Sequence, residues 1–172
     1  MSVFIRIIGL SGYHDQSRRM KLGNSLKLLK YTISSSYFRK EIEKHDPFQT
    51  VSQLSNDAIY QLITGGKELG TTTDHELDLH LNLDLNNSAE HIGYTTLVDR
   101  KIWTYVNAFD RLNEIALAGH YAHEYCHLLG FKDPLQLSDE QIAVNVPYRI
   151  QHIVENLALK PLEDLKEKDV IV

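Results

Sequence analysis

Residues 76 to 85 read ELDLHLNLDL, a strict alternation of leucine with polar side chains. Successive side chains of an extended strand point to opposite faces, so this pattern puts Leu77, Leu79, Leu81 and Leu83 on one buried face and polar groups on the other. A helix cannot satisfy a period of two. The chain must therefore build a sheet with one covered face.

The remaining sequence supplies the cover. Leu22, Leu26, Leu29 and Ile33 recur at helical spacing, and Tyr37, Phe38 and Ile42 resume the pattern after "SSS", which fits one long helix or two short ones. Ser55 followed by NDAIYQLITGG predicts an N-cap, a short helix and a glycine stop. Residues 2–9, rich in Val, Ile and Phe, predict a first strand; FQTVSQL has strand composition; HIGYTT and KIWTYVNAF predict two more strands. A helix is expected from about Asn113 to Leu129, with Ile115, Ala118, Ala122, Cys126 and Leu129 as its buried stripe and Gly119 leaving room for a neighbouring element. FKDPLQLSDEQIAVN reads as a loop with a short helical turn. Pro147 opens a last helix through about Leu159, and the charged tail KPLEDLKEKDVIV is expected to be peripheral.

At 172 residues and 42% hydrophobic content, the chain is long enough for one core and too short for two, so a single domain is expected. A net charge of −5 with scattered Lys and Arg gives no basic stripe for a phosphate backbone, which argues against nucleic acid. No apolar run is long enough to cross a membrane. Arg6 interrupts the apolar start, no cationic stretch precedes it and no cleavage site follows, so it reads as a strand rather than a secretory leader; a cytoplasmic location is expected unless the chain is a trimmed mature form. One cysteine, Cys126, allows neither a disulfide framework nor paired Cys-x-x-Cys ligands. A bound metal would have to rest on His, Asp and Glu.

Those residue types concentrate in AHEYCHLLGFKD, residues 122 to 133. Four residues apart on a helix, His123 and His127 share a face and can turn a ring nitrogen to one ion. Glu124, beside His123, can reach a water on that ion without ligating it, as a general base does. Gly130 stands where a left-handed residue ends a helix, so the chain can turn back and present the Asp133 carboxylate to the same ion. His-Glu-x-x-His alone would arise in about one shuffled sequence in thirty; adding the glycine and a ligand after it lowers this to roughly one in several thousand.

HEYCHLLGFKD resembles the zinc-binding consensus of the metzincin metallopeptidases, H-E-x-x-H-x-x-G-x-x-D, in the variant with aspartate as third ligand. The resemblance is specific over residues 90 to 133 and architectural elsewhere. It implies an α+β fold: a mixed, twisted sheet with backing helices, the active-site helix under the sheet, an upper subdomain of about residues 1–130, and a lower one of about 131–172 with one helix. It implies zinc held by His123, His127 and Asp133 with a fourth position open, Glu124 as base, and a monomeric endopeptidase acting on a protein or peptide substrate. Substrate would lie extended along an edge strand, for which HIGYTT is the candidate. Metzincins also carry a methionine in a turn below the metal, but the only methionines here are Met1 and Met20. VNVPY, residues 144–148, is the best substitute, with Val146 as the apolar floor and Tyr148 either a catalytic hydroxyl or a core tyrosine.

Two other readings compete. In a gluzincin-like arrangement the third ligand is a glutamate on a later helix, for which Glu155 is the candidate. Alternatively zinc staples a non-catalytic binding module, although structural sites usually have four protein ligands and no free glutamate beside them. Cys126 is expected to be a small buried hydrophobe. His120 cannot share one ion with His127, since seven residues separate them by about 10.5 Å of helix, and it is expected to face solvent or to support the ligands. Histidines 14, 45, 75, 80, 91 and 152 show no ligand spacing and are expected at the surface.

Overall fold

The computed structural model describes residues 2–45, 48, 53–66, 73–135 and 138–168, with side chains as far as residue 159. The leucine alternation becomes β2 (Glu76–Asp84), with Leu77, Leu79, Leu81 and Leu83 all buried. β2 pairs in parallel with β1 (Phe4–Ser11) on one side and with β4 (Lys101–Tyr105) on the other. β3 (Gly93–Thr96) pairs antiparallel with β4, so the four-stranded mixed sheet has the order β1-β2-β4-β3 and β3 lies at its edge.

The helices between β1 and β2 share one buried cluster with the leucine face. Asp15 caps α1 (Gln16–Ser34), and Leu22, Leu26, Leu29 and Ile33 are buried on it as their spacing predicts. The helix ends at Ser35, whose hydroxyl donates to the Thr32 carbonyl at 2.7 Å and accepts from the Phe38 amide, so α2 (Ser36–Glu43) is a separate helix. Ser55 caps α3 (Asn56–Thr64), which stops at Gly65. The strand composition of FQTVSQL falls mostly on residues 49–52, outside the described residues.

KIWTYVNAF departs from its composition. The strand ends at Tyr105 and Val106–Arg111 form α4, because Ala108 and Phe109 must both reach the core and helical geometry brings them there. Asn107 fastens this corner, donating to the Ser88 carbonyl at 2.7 Å. Next come α5 (Glu114–Leu128), capped by Asn113, then α6 (Asp139–Val144), which is the short turn expected in the loop, and α7 (Val146–Lys168). Among the described residues two helices therefore follow the motif, where the resemblance implied a subdomain with one. The last runs beyond Leu159 because LEDLKEK consists mainly of strong helix formers.

α5 is not amphipathic in the expected way. Every residue from Leu117 to Cys126 is buried, while Ile115 and Leu129, expected in the stripe, are half-buried. The helix lies against α1, α7 and β3 together, so it has no solvent face over that length. Gly119 makes the closest approach: a Cβ there would stand 2.6 Å from the Glu155 side chain of α7. One continuous apolar cluster joins sheet and helices, from Val3 to Ala158. Among the described residues, no helix is long and apolar enough to cross a membrane.

Candidate metal centre

The last turn of α5 builds the site. Gly130 takes φ 91°, its amide donates to the His127 carbonyl at 2.9 Å, and the Phe131 amide donates to the Cys126 carbonyl at 3.0 Å. These paired bonds stop the helix and reverse the chain. The reversal brings the Phe131 carbonyl to 2.8 Å from Nδ1 of His127. A carbonyl only accepts, so Nδ1 carries the proton and Nε2 of the neutral ring presents its lone pair.

Two residues further on, the returning chain delivers Asp133. Its Oδ1 is 3.2 Å from Nε2 of His123 and its Oδ2 is 3.6 Å from Nε2 of His127. Two donor atoms about 2.1 Å from one ion, at a tetrahedral angle, stand about 3.4 Å apart, so these separations fit a shared ion. Asn145 steadies the loop by donating to the Lys132 carbonyl at 2.8 Å, and its own carbonyl oxygen accepts from the Tyr148 amide at the start of α7. His123 has no anchor like that of His127. Its Nδ1 is buried without a hydrogen-bond partner among the described residues, and its ring packs edge-to-face on Tyr148, centroids 4.7 Å apart.

Donor atoms of His123, Glu124 and His127 also lie within 4.8 Å of one another, a group that can hold a metal ion. The Glu124 carboxylate is occupied elsewhere, however. Thr95 of β3 donates its hydroxyl to Oε2 at 2.7 Å, and Nδ1 of His120 stands 3.7 Å from Oε1. The Asp133 side chain is 44% exposed against 9% and 17% for His123 and His127. The cluster thus opens to solvent on the Asp133 side.

No family model matches this chain, and no curated protein is significantly similar to it. The likeness to metzincins is therefore confined to the motif in the sequence.

The charges are mutually adjusted. Burial resists ionisation of Asp133, but the His123 and His127 imidazoles facing it outweigh that and hold the carboxyl well below its ordinary value. Burial would lower His127, yet Asp133, Glu124 and the Phe131 carbonyl together raise it. Burial pushes Glu124 up, with the two imidazoles and Thr95 opposing. It pulls His120 down to about 3, helped by His123 and His127, so His120 is neutral at ordinary pH. Tyr148 is raised by burial and by the Asp133 and Glu124 carboxylates.

An open groove of about 560 Å³ runs over the site, lined by Gly93, Tyr94 and Thr95 of β3 together with Glu124, His127, Lys132 and Asp133. HIGYTT therefore supplies an edge strand beside the motif. VNVPY spans the junction of α6 and α7, with Val144 ending the one and Val146 opening the other: Val146 is 1% exposed in the core, and Tyr148 is half-buried against His123. Glu155 does not approach the imidazoles as a ligand would. It packs over Gly119 and accepts from the Gln151 amide at 2.9 Å.

Cys126 is fully buried, as expected of a small hydrophobe, and burial raises its thiol. His120 does not face solvent; it is 3% exposed, with Nε2 3.1 Å from the Thr104 hydroxyl. Of the histidines expected at the surface, His14, His91 and His152 are exposed, but His45, His75 and His80 are half-buried. Thr95 and Asn145 lie in the singled-out stretches HIGYTT and VNVPY but were not expected to carry these contacts. Asn145 carried a signal, an N-cap type before Val-Pro; Thr95 carried none.

Proposed function

We propose that this protein is a zinc-dependent endopeptidase, with His123, His127 and Asp133 as the zinc ligands and Glu124 as general base. The observation that carries the proposal is the convergence of two imidazole Nε2 atoms on the Asp133 carboxylate, beside a buried glutamate that reaches the same groove. Asp133 is favoured over Glu124 as third ligand because its two oxygens face the two imidazole Nε2 atoms, while the Glu124 oxygens face Thr95 and His120. It is favoured over Glu155, which is engaged with Gln151. Two imidazoles and one carboxylate with an open fourth position form a donor set suited to catalytic zinc. The α+β class, with a four-stranded mixed sheet preceding the motif helix, is compatible with that reading.

Zinc bound there would polarise the scissile carbonyl and make a water more acidic. Glu124 accepts the water's proton on its carboxylate and delivers it to the leaving amine. Its raised pKa brings its basicity closer to that task than an exposed carboxylate's would be. The free edge of β3 can pair with the backbone of an extended substrate across the groove, which gives affinity with little sequence preference. Tyr148, beside His123, has a hydroxyl suited to donate to the oxyanion that develops in the transition state. Protein or peptide is thus the substrate class.

The test is Glu124→Ala. Metal content and fold should persist while peptide hydrolysis disappears, because the base is not a ligand. Undiminished turnover would remove Glu124 from the mechanism. Metal binding without any Glu124-dependent hydrolysis would favour a zinc-stapled binding module.

A further inference from the structure

Glu124 is nearly all buried, and a carboxylate there needs its oxygens directed if one is to meet a water in the groove. The terminal torsion of a glutamate is a broad rotor with no strong preference of its own. The surroundings must supply the direction. Thr95 sits in β3 opposite Ile102 of β4, and its hydroxyl is 2.7 Å from Oε2 of Glu124 and 3.2 Å from the Glu124 backbone carbonyl. The hydroxyl has one proton, and the shorter contact to the anionic oxygen takes it.

On the other side stands His120, one helical turn earlier in α5. Its Nδ1 faces Oε1 at 3.7 Å, an ion–dipole contact, and its Nε2 is 3.1 Å from the Thr104 hydroxyl. A lone pair aimed at the carboxylate would be repelled, so the favoured tautomer carries its proton on Nδ1 and accepts from Thr104 at Nε2. The ring also has a prepared place. A Cβ on Gly93 would collide with the Trp103 carbonyl oxygen and stand 2.7 Å from the His120 ring, so glycine at the start of β3 leaves room for both.

We propose that Thr95 and His120 are positioning residues that hold the Glu124 carboxylate from both sides and tie the general base to the edge strand β3. The inference rests on the reading of Glu124 as the base. It adds that the strand suited to bind substrate and the group that moves the proton are one mechanical unit. Thr95 touches neither water nor substrate in this role. Its effect passes through Glu124.

The experiment combines steady-state kinetics with unfolding of the metal-free protein. Thr95→Val should lower kcat roughly 10²-fold, the size of effect a misplaced catalytic group produces, with KM and zinc content unchanged. Thr95→Ser, which keeps the hydroxyl, should restore most of the loss, and His120→Asn, which keeps a donor near the Nδ1 position, should fall between wild type and His120→Leu. In the metal-free protein a double-mutant cycle of Thr95→Val with Glu124→Ala should show coupling of about tenfold or more in the unfolding constant. Unchanged kcat in Thr95→Val, or no recovery in Thr95→Ser, would overturn the proposal. If the wild-type protein hydrolyses no peptide, the peptidase reading fails by itself, and the cycle still decides whether the contact exists: the absence of coupling would refute it.

Discussion

Replacing Gly130 by alanine strikes the point where fold and site meet. At φ 91° a Cβ crowds the neighbouring carbonyl, which costs a non-glycine residue roughly 1–2 kcal/mol. If the backbone holds its conformation, the metal-free protein loses that amount, and Tm falls by about 2–8 °C for a chain of this size. If φ relaxes instead, the bonds from the Gly130 and Phe131 amides to the His127 and Cys126 carbonyls open. The Phe131 carbonyl then leaves Nδ1 of His127, and loss of such support for a ligand typically costs about 10–100-fold in metal affinity. Either route leaves a measurable trace. Urea denaturation of the metal-free protein reads the first, and competition against a chelator of known zinc affinity reads the second. Gly130→Asn should be milder than Gly130→Ala, since asparagine enters the left-handed region more readily. An alanine variant unchanged in both midpoint and affinity, or an asparagine variant worse than alanine, would refute this account of the turn.

Two further outcomes follow from the charges and contacts of the site. In the metal-free protein, Asp133 helps to raise His127 above its ordinary 6.5, so their pairing stabilises the fold below about that pH and the contribution fades as pH rises through the higher folded value. Asp133→Asn removes the largest raising influence and leaves burial to lower the group, so His127 observed by NMR should titrate at lower pH; an unmoved titration would separate the two residues. Tyr148→Phe should reduce kcat roughly 10²-fold with KM and zinc content nearly unchanged, whereas loss of about 1 kcal/mol of stability with full kcat would make Tyr148 structural.

The parts of the molecule governed by short-range rules were legible in the sequence. The leucine alternation gave β2 its face, Ser55 marked the cap of α3, and Gly130 marked the turn that returns Asp133 to the imidazoles. Tertiary demand overrode local preference elsewhere. VNAF carries strand-forming residues, yet Ala108 and Phe109 reach the core only through a helix. α5 shows an apparent stripe because a sequence cannot reveal that α1, α7 and β3 enclose it together; the same enclosure buries His120. Thr95 was illegible for a related reason. Its contact with Glu124 spans 29 residues, and no local pattern marks a threonine in an edge strand as the partner of a carboxylate on a distant helix.

The most direct test of the central claim is elemental analysis of the purified protein and its Asp133→Ala variant, with zinc counted per chain after dialysis. Three converging ligands predict about one zinc per wild-type chain and a severe loss in the variant, because two imidazoles alone retain the ion poorly. A wild-type chain without zinc after exposure to it, or a variant that keeps its full equivalent, would contradict the assignment.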